Sequence, residues 1–144
     1  MSITPQSGFE FWGEFEFNID DKGRVLVPSE FRERLKDSYV LTRGPDGAIL
    51  MFPEAVWNQI TTQLNSQIMQ RQHGLLQRLM GGRVIVKVDS STGRITIPKH
   101  LRDWAGITPG DTQISFVGQG PKIEIWCKTT WDKYNASFSY DPVF

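Results

Sequence analysis

The sequence predicts a mainly β, α+β fold with short helices. It is built as two tandem copies of one small unit arranged as a pseudo-twofold, barrel-like or interleaved body. Three observations carry that prediction. One word occurs twice at a fixed offset, first as Gly23-Arg24-Val25-Leu26-Val27-Pro28-Ser29-Glu30-Phe31-Arg32 and then as Gly93-Arg94-Ile95-Thr96-Ile97-Pro98-Lys99-His100-Leu101-Arg102. The match resumes after the second copy gains four residues around Gly106-Ile107-Thr108-Pro109-Gly110, pairing Gly44 with Gly118, Ile49 with Ile123, Met51 with Ile125, Phe52 with Trp126 and Trp57 with Trp131. Short apolar runs in each copy are separated by turns rich in Gly, Pro and Asp.

Taken in order, residues 15–19 alternate and read as a strand, and Asp20-Asp21-Lys22-Gly23 reads as a turn in which Gly23 supplies positive φ. Residues 24–27 form the next strand. Pro28 opens a short helix, where its missing N–H is harmless, and Phe31 and Leu35 share the buried face. Residues 39–43 and 48–52 are strands joined by the hairpin turn Gly44-Pro45-Asp46-Gly47. The second copy repeats the plan: strand 84–88, turn Asp89-Ser90-Ser91-Thr92-Gly93, strand 94–97, helix 98–105 closed by Gly106, and the hairpin of strands 112–117 and 122–126. A helix follows each unit. Between the copies, residues 54–77 read as helix, with Trp57, Ile60 and Leu64 on one face and Ile68, Gln72, Leu75 and Leu79 continuing it. The expected division is a first unit at 9–65, a connecting helical segment at 66–82 and a second unit at 83–135. A unit of about fifty residues has a thin core, so the two are expected to complete each other's sheets.

The chain's 144 residues carry sixteen Lys+Arg and sixteen Asp+Glu, and the apolar fraction of 39 % is that of a globular protein. The charge is segregated. Residues 1–21 hold five acids and no Lys or Arg, whereas residues 67–102 hold seven basic residues against Asp89 alone. Residues 22–43 hold six basic residues and three acids, so the repeated word lies in both basic blocks. Two solvated faces and two parts of one basic surface are both readings of this pattern. The single Cys127 excludes an internal disulfide or a cysteine zinc cage, and a structural role fits it better than a nucleophilic one. No apolar run approaches the roughly 20 residues that span a bilayer. Residues 1–8 have neither the basic nor the apolar region of a signal peptide, so a cytoplasmic protein with no membrane partner is expected.

The sequence offers little to catalysis. His73 and His100 lack metal-pair spacing, and neither a phosphate-binding G-x-x-x-x-G-K-[ST] loop nor a G-x-S-x-G elbow is present. No enzyme, metal or cofactor is expected. Arg24 and Arg94 carry a stronger signal. Each opens a strand after a glycine turn, with Lys22 in the first turn. If the pseudo-twofold sets both turns on one side, the arginines form a paired cationic surface suited to phosphate or to the guanine edge in the major groove. The alternative is internal, with Arg24 paired to Asp20 or Asp21 and Arg94 to Asp89, and the two readings can coexist.

These residues also carry a resemblance. Phe11-Trp12-Gly13-Glu14-Phe15, then Asn18-Ile19-Asp20-Asp21-Lys22-Gly23-Arg24, Pro28 and Phe31-Arg32, and Tyr39-Val40-Leu41-Thr42-Arg43-Gly44 resemble the MraZ family, with its D-x-x-G-R motif in each half. The resemblance covers about residues 9–135. It implies two AbrB-like units in a swapped-hairpin, double-split β-barrel. It also implies a homo-oligomeric ring that binds short repeats in double-stranded promoter DNA upstream of the bacterial division and cell-wall gene cluster, usually as a repressor, at the nucleoid. Carried over, the DNA-contacting residues are Lys22, Gly23 and Arg24, with Gly93 and Arg94 in the second half, while Asp20 and Asp89 orient the loops. The second motif, Asp89-Ser90-Ser91-Thr92-Gly93-Arg94, is one residue longer than the first. Strict spacing therefore puts Ser90 at the acidic position, and either the loop bulges or Asp89 reaches from one residue back. The competing function is a protein-interaction module of the MazE antitoxin type, with the aromatic segment after Trp131 as its binding element.

Overall fold

A computed structural model describes residues 10–33, 38–68, 77 and 80–138. In chain order the elements are β1 (Glu14–Asn18), β2 (Arg24–Leu26), α1 (Ser29–Arg32), β3 (Tyr39–Arg43), β4 (Ile49–Pro53), α2 (Glu54–Ile68), β5 (Val84–Val86), β6 (Arg94–Thr96), α3 (Lys99–Ala105), β7 (Gln113–Gly118), β8 (Ile123–Cys127) and α4 (Lys128–Ala136). The expected strands and short helices are present, with ends displaced by a residue or two where turn and strand merge, and the expected helix 54–77 is described from Glu54 to Ile68. The expected continuation of the α2 face at Gln72, Leu75 and Leu79 lies outside the described residues. So do Leu35, His73, the segment 1–8 and the tail residues Tyr140, Val143 and Phe144.

Six strands form one antiparallel sheet in the order β1-β7-β8-β4-β3-β5, and β2 pairs with β6 in a separate two-stranded ribbon. Under the repeat, β1 corresponds to β5, β3 to β7 and β4 to β8, so the strand order reads identically from both edges. The registers obey the same symmetry. Leu50 faces Glu124 at the sheet centre, flanked by Ile49–Ile125 and Met51–Ile123. In the ribbon Val25 faces Ile95, flanked by Arg24–Thr96 and Leu26–Arg94. A pseudo-dyad passes through both central pairs.

Each unit lends its first strand to the other, because β1 pairs with β7 and β5 with β3. The sheet is open among the described residues, with β1 and β5 at its edges. The turns after β1 and β5 redirect the chain, so β2 and β6 leave the sheet and pair with each other.

The main core fills the space between ribbon and sheet. Val25, Val27, Ile95 and Ile97 come from the ribbon, Phe31 and Leu101 from α1 and α3, and Leu41, Ile49, Met51, Phe116 and Ile125 from the inner sheet face. The outer face is covered by two helices. Val56 and Trp57 of α2 pack on Val40, Leu50 and Phe52, with Ile60 at the margin. Trp131 and Tyr134 of α4 pack on Ala48, Val117 and Trp126. β4 and β8 are thus buried on both faces, which is why Ile49–Pro53 and Ile123–Cys127 carry few polar residues. Gly106 ends α3 in the left-handed region at φ 69°, where glycine has no Cβ penalty.

Candidate nucleic-acid interface

The first turn is organised by one carboxylate. Asp20 Oδ1 accepts the backbone N–H groups of Lys22 at 2.9 Å and Arg24 at 2.8 Å, while Oδ2 accepts Arg24 Nε at 2.8 Å. The Asp20 N–H donates to the Arg24 carbonyl at 2.9 Å and closes the turn. The Arg24 backbone N–H is the main cause holding the Asp20 carboxyl below its ordinary value of 3.8, joined by the Arg24 side chain and the Lys22 N–H. Of the two internal pairings open to Arg24, the structure takes Asp20. The Arg24 side chain nonetheless stays 43 % exposed.

The second turn absorbs its extra residue without losing that plan. The Asp89 N–H donates to the Arg94 carbonyl at 2.9 Å, as Asp20 does to Arg24. Asp89 therefore occupies the acidic position from one residue back, and Ser90–Thr92 take up the length. Its Oδ1 accepts the Ser91 hydroxyl at 2.6 Å and the N–H groups of Ser91 at 2.8 Å and Thr92 at 3.2 Å. The Ser91 hydroxyl is the leading cause that lowers the Asp89 carboxyl, and the charge of Arg24 contributes to the same shift. The internal alternative for Arg94 is not realised: among the described residues no carboxylate pairs with it, and its N–H meets Thr92 Oγ1 at 3.3 Å.

Strand alternation sets which side chains face outward. Along the ribbon, Val25, Val27, Ile95 and Ile97 are buried, whereas Arg24, Arg94 and Thr96 are exposed on the other face. Since Arg24 faces Thr96, Arg94 is its diagonal neighbour on that face, with an expected separation of about 7–8 Å. Both arginines line one concavity of about 290 Å³ together with Lys87, Asp89, Thr92 and Thr96. Lys22 is exposed in the first turn. The structure therefore brings Arg24 and Arg94 together.

Gly23 and Gly93 lie beneath this surface. Their φ values are +79° and +73°, and a Cβ on Gly23 would stand 2.5 Å from Arg102 Nη1, while one on Gly93 would collide with the Arg32 guanidinium. Each glycine carbonyl also extends the ribbon, accepting Ile97 N–H at Gly23 and Val27 N–H at Gly93, both at 2.9 Å. Arg102 donates to the Ile97 carbonyl. The last arginine of each repeated word thus braces the glycine turn of the other copy. Sequence reasoning did not assign Arg32, Arg102 or Lys87 to the site. The recurrence of Arg32 and Arg102 in the repeated word was the available signal. For Lys87 it was alternation against the apolar run Val84-Ile85-Val86.

The remaining chemistry-bearing residues are elsewhere. His100 is exposed, with Nε2 3.1 Å from the Gly82 carbonyl, and Cys127 is buried. Among the described residues no group of three His, Cys, Asp or Glu is placed to hold a metal, and no helix is long and apolar enough to cross a membrane.

Comparison with known proteins converges on the family that the repeated motifs resemble. The MraZ protein family, whose description also carries the word antitoxin-like, matches residues 11–79 and again residues 79–144. A transcriptional regulator MraZ of Lachnoclostridium phytofermentans is 42 % identical over 132 residues, covering 91 % of this chain and 88 % of the relative. That of Desulforamulus reducens is 37 % identical over 128 residues, covering 88 % and 87 %. That of Heliobacterium modesticaldum is 34 % identical over 137 residues, covering 92 % and 93 %. The chain belongs to the MraZ family, a family of transcriptional regulators and not of enzymes.

Proposed function

We propose that the protein is a sequence-specific DNA-binding transcriptional regulator that represses the bacterial cell-division and cell-wall gene cluster. It binds short repeats in double-stranded promoter DNA as a ring-shaped homo-oligomer, in the cytoplasm and at the nucleoid. One observation carries the reading: Arg24 and Arg94 share the outward face of a two-stranded ribbon whose other face is locked into the core. A ribbon of this kind fits the major groove, and arginine suits both guanine edges and phosphates. Lys22 adds a phosphate contact, and Gly23 and Gly93, buried beneath the cationic face, hold the two turns in shape. Asp20 and Asp89 orient the loops. The absence of net charge is no obstacle, because the cationic face is local and a ring repeats it.

The pseudo-twofold swapped-hairpin reading of the fold is supported by the exchanged strands β1 and β5. The division into units at 9–65 and 83–135, joined by 66–82, is supported by the palindromic strand order. The family match also changes copy at residue 79, inside that connector.

The test is fluorescence anisotropy with duplex from upstream of the protein's own gene, a scrambled duplex and a salt series. Arg24→Ala is expected to weaken selective binding by about 1–3 kcal/mol per engaged site, provided the variant assembles as the wild type does. Unchanged affinity in an intact oligomer refutes the assignment. The antitoxin-type module is favoured by the aromatic end of the chain. There Phe138 is 51 % exposed and packs edge-on against Tyr134 at 4.9 Å. Stable co-purification with a protein partner and no DNA retention would establish that reading instead.

A further inference from the structure

Resting on the DNA-binding reading, we propose that the two turns divide the work. Arg24, aimed by Asp20, reads a guanine edge, while Arg94 and Lys87 hold backbone phosphates. The repeated word makes the arginines equivalent in sequence, but their surroundings differ.

Asp20 fixes Arg24 from two sides. Oδ1 is anchored by two backbone N–H groups, one of them that of Arg24, so the carboxylate is part of the turn. Oδ2 then accepts Nε at 2.8 Å and occupies the Nε side of the guanidinium. The two terminal nitrogens remain to be presented end-on, as a fork that matches O6 and N7 of guanine. An arginine already held in one orientation loses less conformational freedom on binding, which favours a contact that demands a single geometry.

Arg94 has no such guide. The Asp89 oxygen that organises the second turn is occupied by Ser91 and Thr92, and among the described residues no carboxylate reaches the Arg94 guanidinium. Lys87 lines the same concavity as Arg94. A compact ammonium and an unsteered guanidinium supply charge without directional selection, which suits phosphate oxygens. Asp20 is accordingly a positioning residue, acting through Arg24.

Asp20→Asn separates aiming from folding, because an asparagine oxygen still accepts both backbone N–H groups while its amide nitrogen cannot accept Nε. The probe is the duplex that the wild-type chain enriches from a randomised library, with 7-deazaguanine replacing each guanine in turn. At the guanine read by Arg24, the wild type is expected to lose about tenfold in affinity, and Asp20→Asn to reduce that ratio to about twofold while still binding. Arg94→Ala and Lys87→Ala are expected to weaken every duplex by one common factor, and each to lower the salt slope by about 1 per engaged site. Full discrimination retained by Asp20→Asn, or discrimination abolished by Arg94→Ala, overturns the division. If the intact wild-type oligomer enriches no duplex and shows no salt-dependent binding, the DNA-binding reading itself falls and the division falls with it.

Discussion

Replacing Gly118 by alanine is expected to destabilise the fold by about 2–4 kcal/mol. Gly118 ends β7 and is flanked by the segment that leads into β1. Its N–H donates to the Gly13 carbonyl at 2.8 Å, and Phe11 and Gly120 exchange backbone hydrogen bonds at 2.8 and 2.9 Å beside it. A Cβ on residue 118 would stand 2.5 Å from both the Phe11 carbonyl carbon and the Trp12 nitrogen. These are main-chain atoms, so no side-chain rotation relieves the collision, and the segment must move outward. Phe11 moves with it. That ring is 1 % exposed and packs edge-on against Phe31 at 5.5 Å. Overpacking with partial relaxation sets a floor of about 1 kcal/mol, and full withdrawal of a buried phenylalanine sets a ceiling of about 5 kcal/mol. Urea unfolding at fixed protein concentration measures the loss. In a Phe11→Ala background the same substitution should cost distinctly less, because the ring it displaces is already gone. A loss under about 1 kcal/mol in the wild type, or strict additivity with Phe11→Ala, refutes the reasoning.

Three further outcomes are expected. Gly106→Ala tests left-handed backbone alone, since φ is +69° and nothing lies within 4 Å of a new Cβ; it should cost about 1–2 kcal/mol. Gly93→Ala should cost more in the same denaturation assay, because it also displaces the Arg32 guanidinium, and an Arg32→Ala background should bring it down towards the Gly106 value, leaving the tight contact with Leu26 Cδ1 at 3.1 Å. The carboxyls of Asp20 and Asp89 are both depressed below 3.8 in the folded chain, so their contribution is present above that value and lost as pH falls through the lower folded values. The urea midpoint should therefore decline below about pH 4, and the decline should be shallower in Asp20→Asn and Asp89→Asn. An unchanged pH profile in both variants contradicts this account.

Local chemistry made much of the fold legible. Glycine turns, proline at helix starts and alternating apolar residues place β1 to β8 within a residue or two, and the repeated word pairs them copy by copy. That the two units complete each other's sheets was expected, but that β1 and β5 are the strands exchanged was less accessible. An alternating strand such as Phe15-Glu16-Phe17 states which face is buried but not which neighbour it joins, since either β3 or β7 offers an apolar edge. The open sheet had the same cause: nothing in Arg24-Val25-Leu26 distinguishes a strand that continues a ladder from one that leaves it. At the site, Asp20, Arg24 and Arg94 stood out through type and spacing. The bracing of Gly93 by Arg32 and of Gly23 by Arg102 did not, because it depends on each helix crossing to the other copy. Lys87 lies only two residues before Asp89, but its place beside Arg24 of the other copy depends on the pairing of the ribbon.

The pseudo-dyad through Val25–Ile95 and Leu50–Glu124 makes this chain the covalent equivalent of a dimer of half-length subunits. Two identical subunits would have to meet their target with identical turns, and would impose inverted symmetry on it. Joining them in one polypeptide removes that requirement. One turn is free to lengthen by a residue and drop its carboxylate–arginine pair while the other keeps both its length and its pair. On the DNA-binding reading proposed above, a single chain would then recognise an element that is not its own reverse complement, and successive chains of the proposed ring would read such elements as head-to-tail repeats.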